Sequence, residues 1–237
     1  MPNPSGCVAH LMRLVTFDRP AGRWGALQPS MIAGMLAQRI QQQFIDSADL
    51  MYQCAQVLTP AIEAATGAVL ASVTSGGKVL ACGNGPASGL VQAFAAAFVG
   101  RFERDRPELA AFALGTNAAV LTDVSFGFEA RNVFSRQVRA LGLPGDVLLV
   151  VTLQPDAPDI LGAVEAAHER EMTVVALCGA QAARLGQMLK DTDVLVCVPS
   201  ERPARVQEAQ QLALHCICDG VDVQLLGDDA EPEEYSA

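Results

Sequence analysis

The sequence predicts an α/β protein, with a parallel sheet of about five strands and helices on both faces. Three observations predict it. The stretch KVLACGNGPASGLVQAFAAAFVGRF at 78–102 reads as strand, glycine turn and helix. The run DVLLVVT at 146–152 holds no polar residue between Val147 and Val151, the pattern of a strand buried on both faces. From there to the C-terminus, short apolar runs alternate with helix-length segments, and that alternation builds a parallel sheet.

Residues 1–30 hold Pro2, Pro4, Pro20 and Pro29 without a sustained period. They read as an extension, partly disordered, with a short helix near 8–15. Met35, Leu36, Ile40, Phe44, Ile45, Ala48 and Met51 then recur at three- and four-residue steps, as on one face of a helix. Pro60 breaks that helix, and a second runs over about 61–73. Such a pair either makes a subunit contact or covers one face of the sheet. The first strand is 79–82, followed by the turn Gly83-Asn84-Gly85-Pro86 and a helix over 90–102. Strand, glycine turn and helix is a geometry in which helix-opening amides can face an anion. It is also the ordinary turn of any parallel α/β protein.

A second strand is expected at 110–114, a turn with a short helix at 116–123, and a helix at 132–141 ended by Gly142 and Pro144. After the strand at 146–152 come a helix at 159–170, a strand at 172–177, a helix at 181–190 and a strand at 194–198. A long helix over 205–226 closes the domain, and DDAEPEEYSA at 228–237 reads as an acidic disordered tail. Ligands of such sheets bind at the carboxyl ends of the strands. The loops that matter are then 83–89, 115–128, 152–158 and 178–184.

With 237 residues and 51% hydrophobic content the chain can bury one full core, so one domain spans 31–227. The formal net charge of -10 excludes a general binder of nucleic-acid backbones. No apolar run reaches the length of a membrane span. The start lacks a basic region followed by an apolar core, so no signal peptide is expected. Cys82, Cys178, Cys197, Cys216 and Cys218 lie in apolar runs, as reduced core thiols of a cytoplasmic protein do. His215, Cys216 and Cys218 point in different directions on a helix and do not converge on a metal.

Several longer segments carry a resemblance. They are ACGNG at 81–85, FVGRFERDRPEL at 98–109, FSRQVRALG at 134–142, GDVLL at 145–149, MTVVAL at 172–177 and RVQE at 205–208. Together they resemble the sugar isomerase (SIS) domain, in the branch that holds bacterial phosphoheptose isomerase and DiaA, the initiator-associating protein. The resemblance covers roughly 35–226. It implies a flavodoxin-like three-layer α/β/α sandwich, a homotetramer and ligand sites at subunit boundaries.

Carried over residue by residue, the resemblance departs at the site. The phosphate loop STSGNS of the isomerases reads Thr152-Leu153-Gln154-Pro155-Asp156-Ala157 here. Pro155 offers no N–H, Asp156 is negative, and Thr152 alone keeps a hydroxyl. The glutamate that moves the proton in the family falls on Ala97, and its zinc-ligating histidine on Ala93. Alanine can do neither. Ala87 stands where the glycine turn of the family has serine. Gln207 and His215 match the remaining family site positions and share one helix face, although His215 alone reads as an interior histidine.

The ligand-binding candidates are therefore Gly83, Asn84, Gly85, Ser88, Thr152, Gln207 and His215. No catalytic residue, metal or cofactor is expected. The expectation is a SIS-domain protein that has shed the isomerase chemistry and acts, like DiaA, as a binding or regulatory oligomer. Its partners would be itself as a homotetramer, a phosphosugar and the replication initiator DnaA, with no nucleic acid and no membrane. The alternatives are an active sedoheptulose 7-phosphate isomerase and an inactive subunit that pairs with an active paralogue.

Overall fold

The computed structural model describes residues 29–227. The expected extension up to residue 28, its helix near 8–15 and the acidic tail at 228–237 lie outside them. The chain divides into two units, 1–42 and 43–237. The described part of the first is the opening of helix α1 (Pro29–Val57), which continues into the second. Pro60 does not start a new helix after a loop. It stands in the first turn of α2 (Thr59–Thr74), where its missing N–H has no intrahelical partner to lose.

The second unit carries the whole sheet. Its strands are β1 (Val79–Gly83), β2 (Ala111–Ala113), β3 (Val147–Val151), β4 (Thr173–Gly179) and β5 (Val194–Val198). All are parallel, in the order β2-β1-β3-β4-β5. Every residue of β1 and of β3 is buried, because helices cover both faces. On one face Leu50 and Cys54 of α1 and Val69 of α2 pack with Phe94 of α3 (Ala87–Val99) and with Leu214 and Ile217 of α8 (Pro203–Leu226). They meet the strand residues Val79, Ala81, Leu149, Val151 and Leu177. The other face holds Val124 of α4 (Ala118–Gly127), Val138 of α5 (Val133–Leu141), Ile160 of α6 (Pro158–Glu169) and Leu185 of α7 (Ala183–Met188). These pack on Leu80, Cys82, Leu148, Val150 and Cys178. The architecture is the expected three-layer α/β/α sandwich. Among the described residues, no single helix is long and apolar enough to cross a membrane.

Four local expectations change. The helix read as a turn plus a short segment at 116–123 runs on to Gly127, and Asn117 caps it by accepting from the amides of Ala119 and Val120. The strand expected at 110–114 shortens to Ala111–Ala113, although Leu114 N–H still donates to Ala81 O at 2.7 Å. Cys216 is exposed rather than a core thiol, while Cys54, Cys82, Cys178 and Cys218 are buried. Met51, read on the same helix face as Leu36, Ile40 and Phe44, packs against the core while those three are exposed.

Candidate active site

The strand order reverses direction between β1 and β3. A ligand crevice of a doubly wound sheet lies outside the carboxyl ends of the two strands at such a point. Gly83 and Val151 are register partners at those ends. The next residues on each strand are therefore Asn84 and Thr152, side by side above the sheet.

Their side chains are joined. The Thr152 hydroxyl donates to Asn84 Oδ1 at 2.9 Å, and the amide of Gln154 donates to Thr152 Oγ1 at 2.9 Å. Asn84 Nδ2 donates to Asp159 Oδ1 at 3.4 Å. Below them, the fully buried Gln210 of α8 donates through Nε2 to Thr152 O at 2.8 Å and Leu177 O at 3.1 Å. One side chain thus ties the carboxyl ends of β3 and β4 to the closing helix. A pocket of about 150 Å³ opens between the loops after β3, β4 and β5, bordered by Leu153, Pro155, Gly179, Gln181 and Glu201. A larger groove of about 950 Å³ runs along α6 from Pro158 to Glu169. The hydrogen-bonded groups of the crevice line neither of the two, so cavity size does not select the site.

The glycine turn takes its shape from two glycines. Gly85 has φ of +54°, and Gly83 packs so closely that no side chain fits. The amides that open α3 are not left free for an anion. Ala87, Ser88 and Gly89 donate to Asn84 O, Gly85 O and Pro86 O at 3.1–3.3 Å. Ser88 is half-buried at the first turn of α3. In the loop after β3, Pro155 is buried and Leu153 packs on the first core, so this loop holds itself by apolar contacts as well as by Thr152.

The candidates on α8 stand apart. Gln207 is half-buried. His215 is exposed, not interior: its ring hydrogen-bonds Gln211 and lies 5.4 Å from the Phe102 ring, centroid to centroid. Within the chain, the structure brings Asn84 and Thr152 together and leaves His215 outside that group. Ala93 is exposed on α3, and the carbonyl of the half-buried Ala97 accepts from Arg106 Nη2 at 2.8 Å. Among the described residues no group of three His, Cys, Asp or Glu side chains could hold a metal ion. With no donor atom on Ala93, the side chains present do not fit the zinc ion that the resemblance implies.

Two site groups escaped the sequence reading. Gln210 carried a signal, since it is a polar residue between Val206, Ala209, Ala213 and Leu214 on the buried face of α8. Asp159 carried none beyond its place one residue after a helix-opening proline.

The SIS domain model matches residues 43–179, more than half of the chain. The chain belongs to the SIS domain family. It is 53% identical over 195 residues to the phosphoheptose isomerase of Methylibium petroleiphilum, covering 82% of this chain and 98% of that one. It is 48% identical to the phosphoheptose isomerase of an Azoarcus species over 81% of this chain and 98% of that one. Among solved structures it is similar to phosphoheptose isomerase from Neisseria gonorrhoeae, with TM-score 0.75 and 40% identity over 79% of this chain and 98% of that one. That from Francisella tularensis gives TM-score 0.76 and 39% identity over 78% and 97%.

These relatives overturn the expectation of a domain that has shed its chemistry for a DiaA-like role. Proteins named for the isomerase match nearly end to end, at up to 53% identity. The expectation rested on the groups that positions 93 and 97 lack and on the departure of the 152–157 loop from the family's phosphate loop. A proton transfer needs a group within hydrogen-bond reach of the reacting carbon, and no fixed sequence position decides that.

The Thr152 hydroxyl is the hinge of the crevice network, which gives a direct test. Thr152→Val keeps the shape of the side chain and leaves Asn84 Oδ1 and the Gln154 amide without their partner. We expect a loss of about 1–3 kcal/mol in urea unfolding. Amide exchange should also speed up at Gln154. A variant as stable as wild type with unchanged exchange refutes the network.

Proposed function

We propose that the protein is a phosphoheptose isomerase that interconverts sedoheptulose 7-phosphate and the corresponding aldoheptose 7-phosphate. The observation that carries this reading is the near end-to-end match, at 53% identity, to a protein of that name. The crevice at the ends of β1 and β3 supports it, with polar groups of Asn84, Thr152 and Asp159 converging above the sheet. The reading includes no resident metal, because Ala93 offers no donor atom, and it places the protein in the cytoplasm. The test is direct. Purified protein is incubated with sedoheptulose 7-phosphate, and the aldose C1 proton is followed by NMR. The expected turnover lies in the usual enzymic range of about 1 to 10³ per second, unchanged by a chelator. Conversion no faster than in buffer overturns the reading.

The same reading includes self-assembly as a homotetramer. Leu36 and Ile40 are exposed in the first unit, and Phe44 and Tyr52 in the second, at 75% and 76% for the last two. Apolar side chains in a row along one helix mark a contact surface. Light scattering at micromolar concentration should report a multiple of the chain mass, and a stable monomer counts against the assembly.

A further inference from the structure

Strands β4 and β5 place two cysteines side by side. Cys178 and Cys197 are register partners on these parallel neighbours, so both side chains leave the sheet on one face. Both pack into the core that holds Leu185 of α7. Cys178 is fully buried, and Cys197 is half-buried. The Cys197 thiol donates to Gly179 O at 3.3 Å, which holds its sulfur over the residue that follows Cys178. Neighbouring strands lie about 4.8 Å apart, inside the span of about 4.4–6.8 Å that a disulfide needs between Cα atoms. Side chains that leave one face together keep about that spacing at Cβ, slightly more than the roughly 3.5–4.5 Å of a relaxed bridge. The strand order puts β5 at the edge of the sheet, where it can move to close the difference.

The other described cysteines are not arranged in this way. Cys82 faces the same core from β1, but β3 stands between β1 and β4. Cys54 and Cys218 are buried on the opposite face of the sheet, and Cys216 is exposed on α8. Burial, and then the neighbouring Cys197, push the Cys178 thiol far above its ordinary range. An oxidant therefore meets Cys197 first, the member of the pair that solvent reaches.

We infer that Cys178 and Cys197 are a modification site, joined by hydrogen peroxide in a reversible disulfide that locks the loops after β4 and β5 together. The Cys197 sulfur attacks one oxygen of the peroxide. The O–O bond breaks, Cys197 becomes a sulfenic acid, and its thiol proton leaves with the other oxygen as water. The Cys178 sulfur then attacks the Cys197 sulfur. The S–S bond forms, the S–O bond breaks, and the Cys178 proton leaves with the hydroxyl as a second water. The two thiols give up two electrons in all, and the peroxide takes both. A small thiol reverses the bond by exchange. The bridge sits where the chain leaves the sheet. Gly179 follows Cys178 directly, and the Ala180 amide already donates to Ser200 O at 3.2 Å between the two loops. Both loops border the pocket of about 150 Å³ at the strand ends. In a reducing compartment such a bridge is transient, as in redox-sensing pairs.

The experiment treats the full chain with hydrogen peroxide, blocks the remaining thiols and maps the protein with trypsin. Peptides 171–184 and 191–205 carry the two cysteines. They should appear joined through a disulfide and part again with dithiothreitol. Cys216→Ser should keep the joined pair, and Cys197→Ser should abolish it. Cys178→Ser should leave Cys197 as a sulfenic acid that dimedone captures. Amide exchange at Ala180 should be slower in the joined protein than in the reduced one. Peptides that stay apart in peroxide-treated wild type overturn the pairing, whether Cys197 is recovered untouched or as a sulfinic acid. A joined protein with unchanged exchange at Ala180 overturns the lock. Both readings come from wild type, so they stay decisive if a serine variant fails to fold.

Discussion

Replacing Asp222 by alanine should lower the melting temperature by roughly 6–20 °C, the largest stability change expected from a single side chain here. Asp222 and Arg106 form an ion pair whose side chains are 2% and 1% exposed. The Arg106 Nε donates to Asp222 Oδ1 at 2.5 Å. Its two other nitrogens donate to Phe98 O and Ala97 O at 2.8 Å, carbonyls at the end of α3 that lack helical partners. The guanidinium also lies 5.7 Å from the centre of the Phe98 ring. One cation thus fastens the loop after α3 to the end of that helix and to α8. Alanine at 222 leaves the guanidinium buried with neutral acceptors only. Breaking such a pair by removing one partner costs about 3–5 kcal/mol, because the remaining charge stays out of water. For a domain of this size each kcal/mol is worth about 2–4 °C. Asp222→Asn keeps the acceptor without the charge and should fall between. Replacing both partners by apolar residues, Arg106→Met with Asp222→Leu, should recover much of the loss. A single Asp222→Ala variant that melts with wild type shows that the pair contributes nothing net.

Much of this fold was legible because its strands are short apolar runs bounded by glycine and polar residues. The strand read at 194–198 stands unchanged as β5, and the closing helix starts two residues earlier than read. What went unread depended on partners far along the chain. Asn84 reaches Asp159 across 75 residues, Gln210 reaches Thr152 across 58, and Arg106 reaches Asp222 across 116. No local period announces such pairs. Asn84 and Thr152 were legible as neighbours in the crevice because each follows a strand end, and topology brings those two ends together. His215 was misread as interior because helical spacing was judged from it alone. The buried neighbours Leu214, Ile217 and Cys218 set the inward face, and His215 and Cys216 fall outside it. The functional expectation erred differently. Two alanines on α3 and the departures of the 152–157 loop were taken to decide the chemistry, which no fixed sequence position decides.

Gly83→Ala should be the most damaging small substitution in the crevice. Gly83 ends β1 and pairs in register with Val151 of β3. A methyl group there would lie 2.8 Å from Val151 O, 2.9 Å from Ala87 O and 3.0 Å from Ala87 C. All three atoms are backbone, so no flexible side chain can give way. Either β3 must move away from β1, or α3 must lift from the strand end where Ala87 is fully buried. Overpacking typically costs about 1–3 kcal/mol, and a site walled by main chain belongs at the upper end. At about 3 kcal/mol the melting temperature falls by roughly 6–12 °C. The displacement also acts on function. Asn84 follows Gly83 directly, and its 2.9 Å bond to Thr152 depends on the strand ends staying in register. A shift of about 1 Å at a reacting centre can cost about a hundredfold in rate. Turnover of sedoheptulose 7-phosphate should therefore drop more than stability alone explains, when measured well below the melting point. Gly89→Ala is the matched control: nothing lies within 4 Å of its added methyl, and alanine is favoured over glycine in a helix by up to about 1 kcal/mol. If Gly83→Ala melts with Gly89→Ala and keeps its rate, the close approach of α3 to the strand end does not hold the crevice in shape.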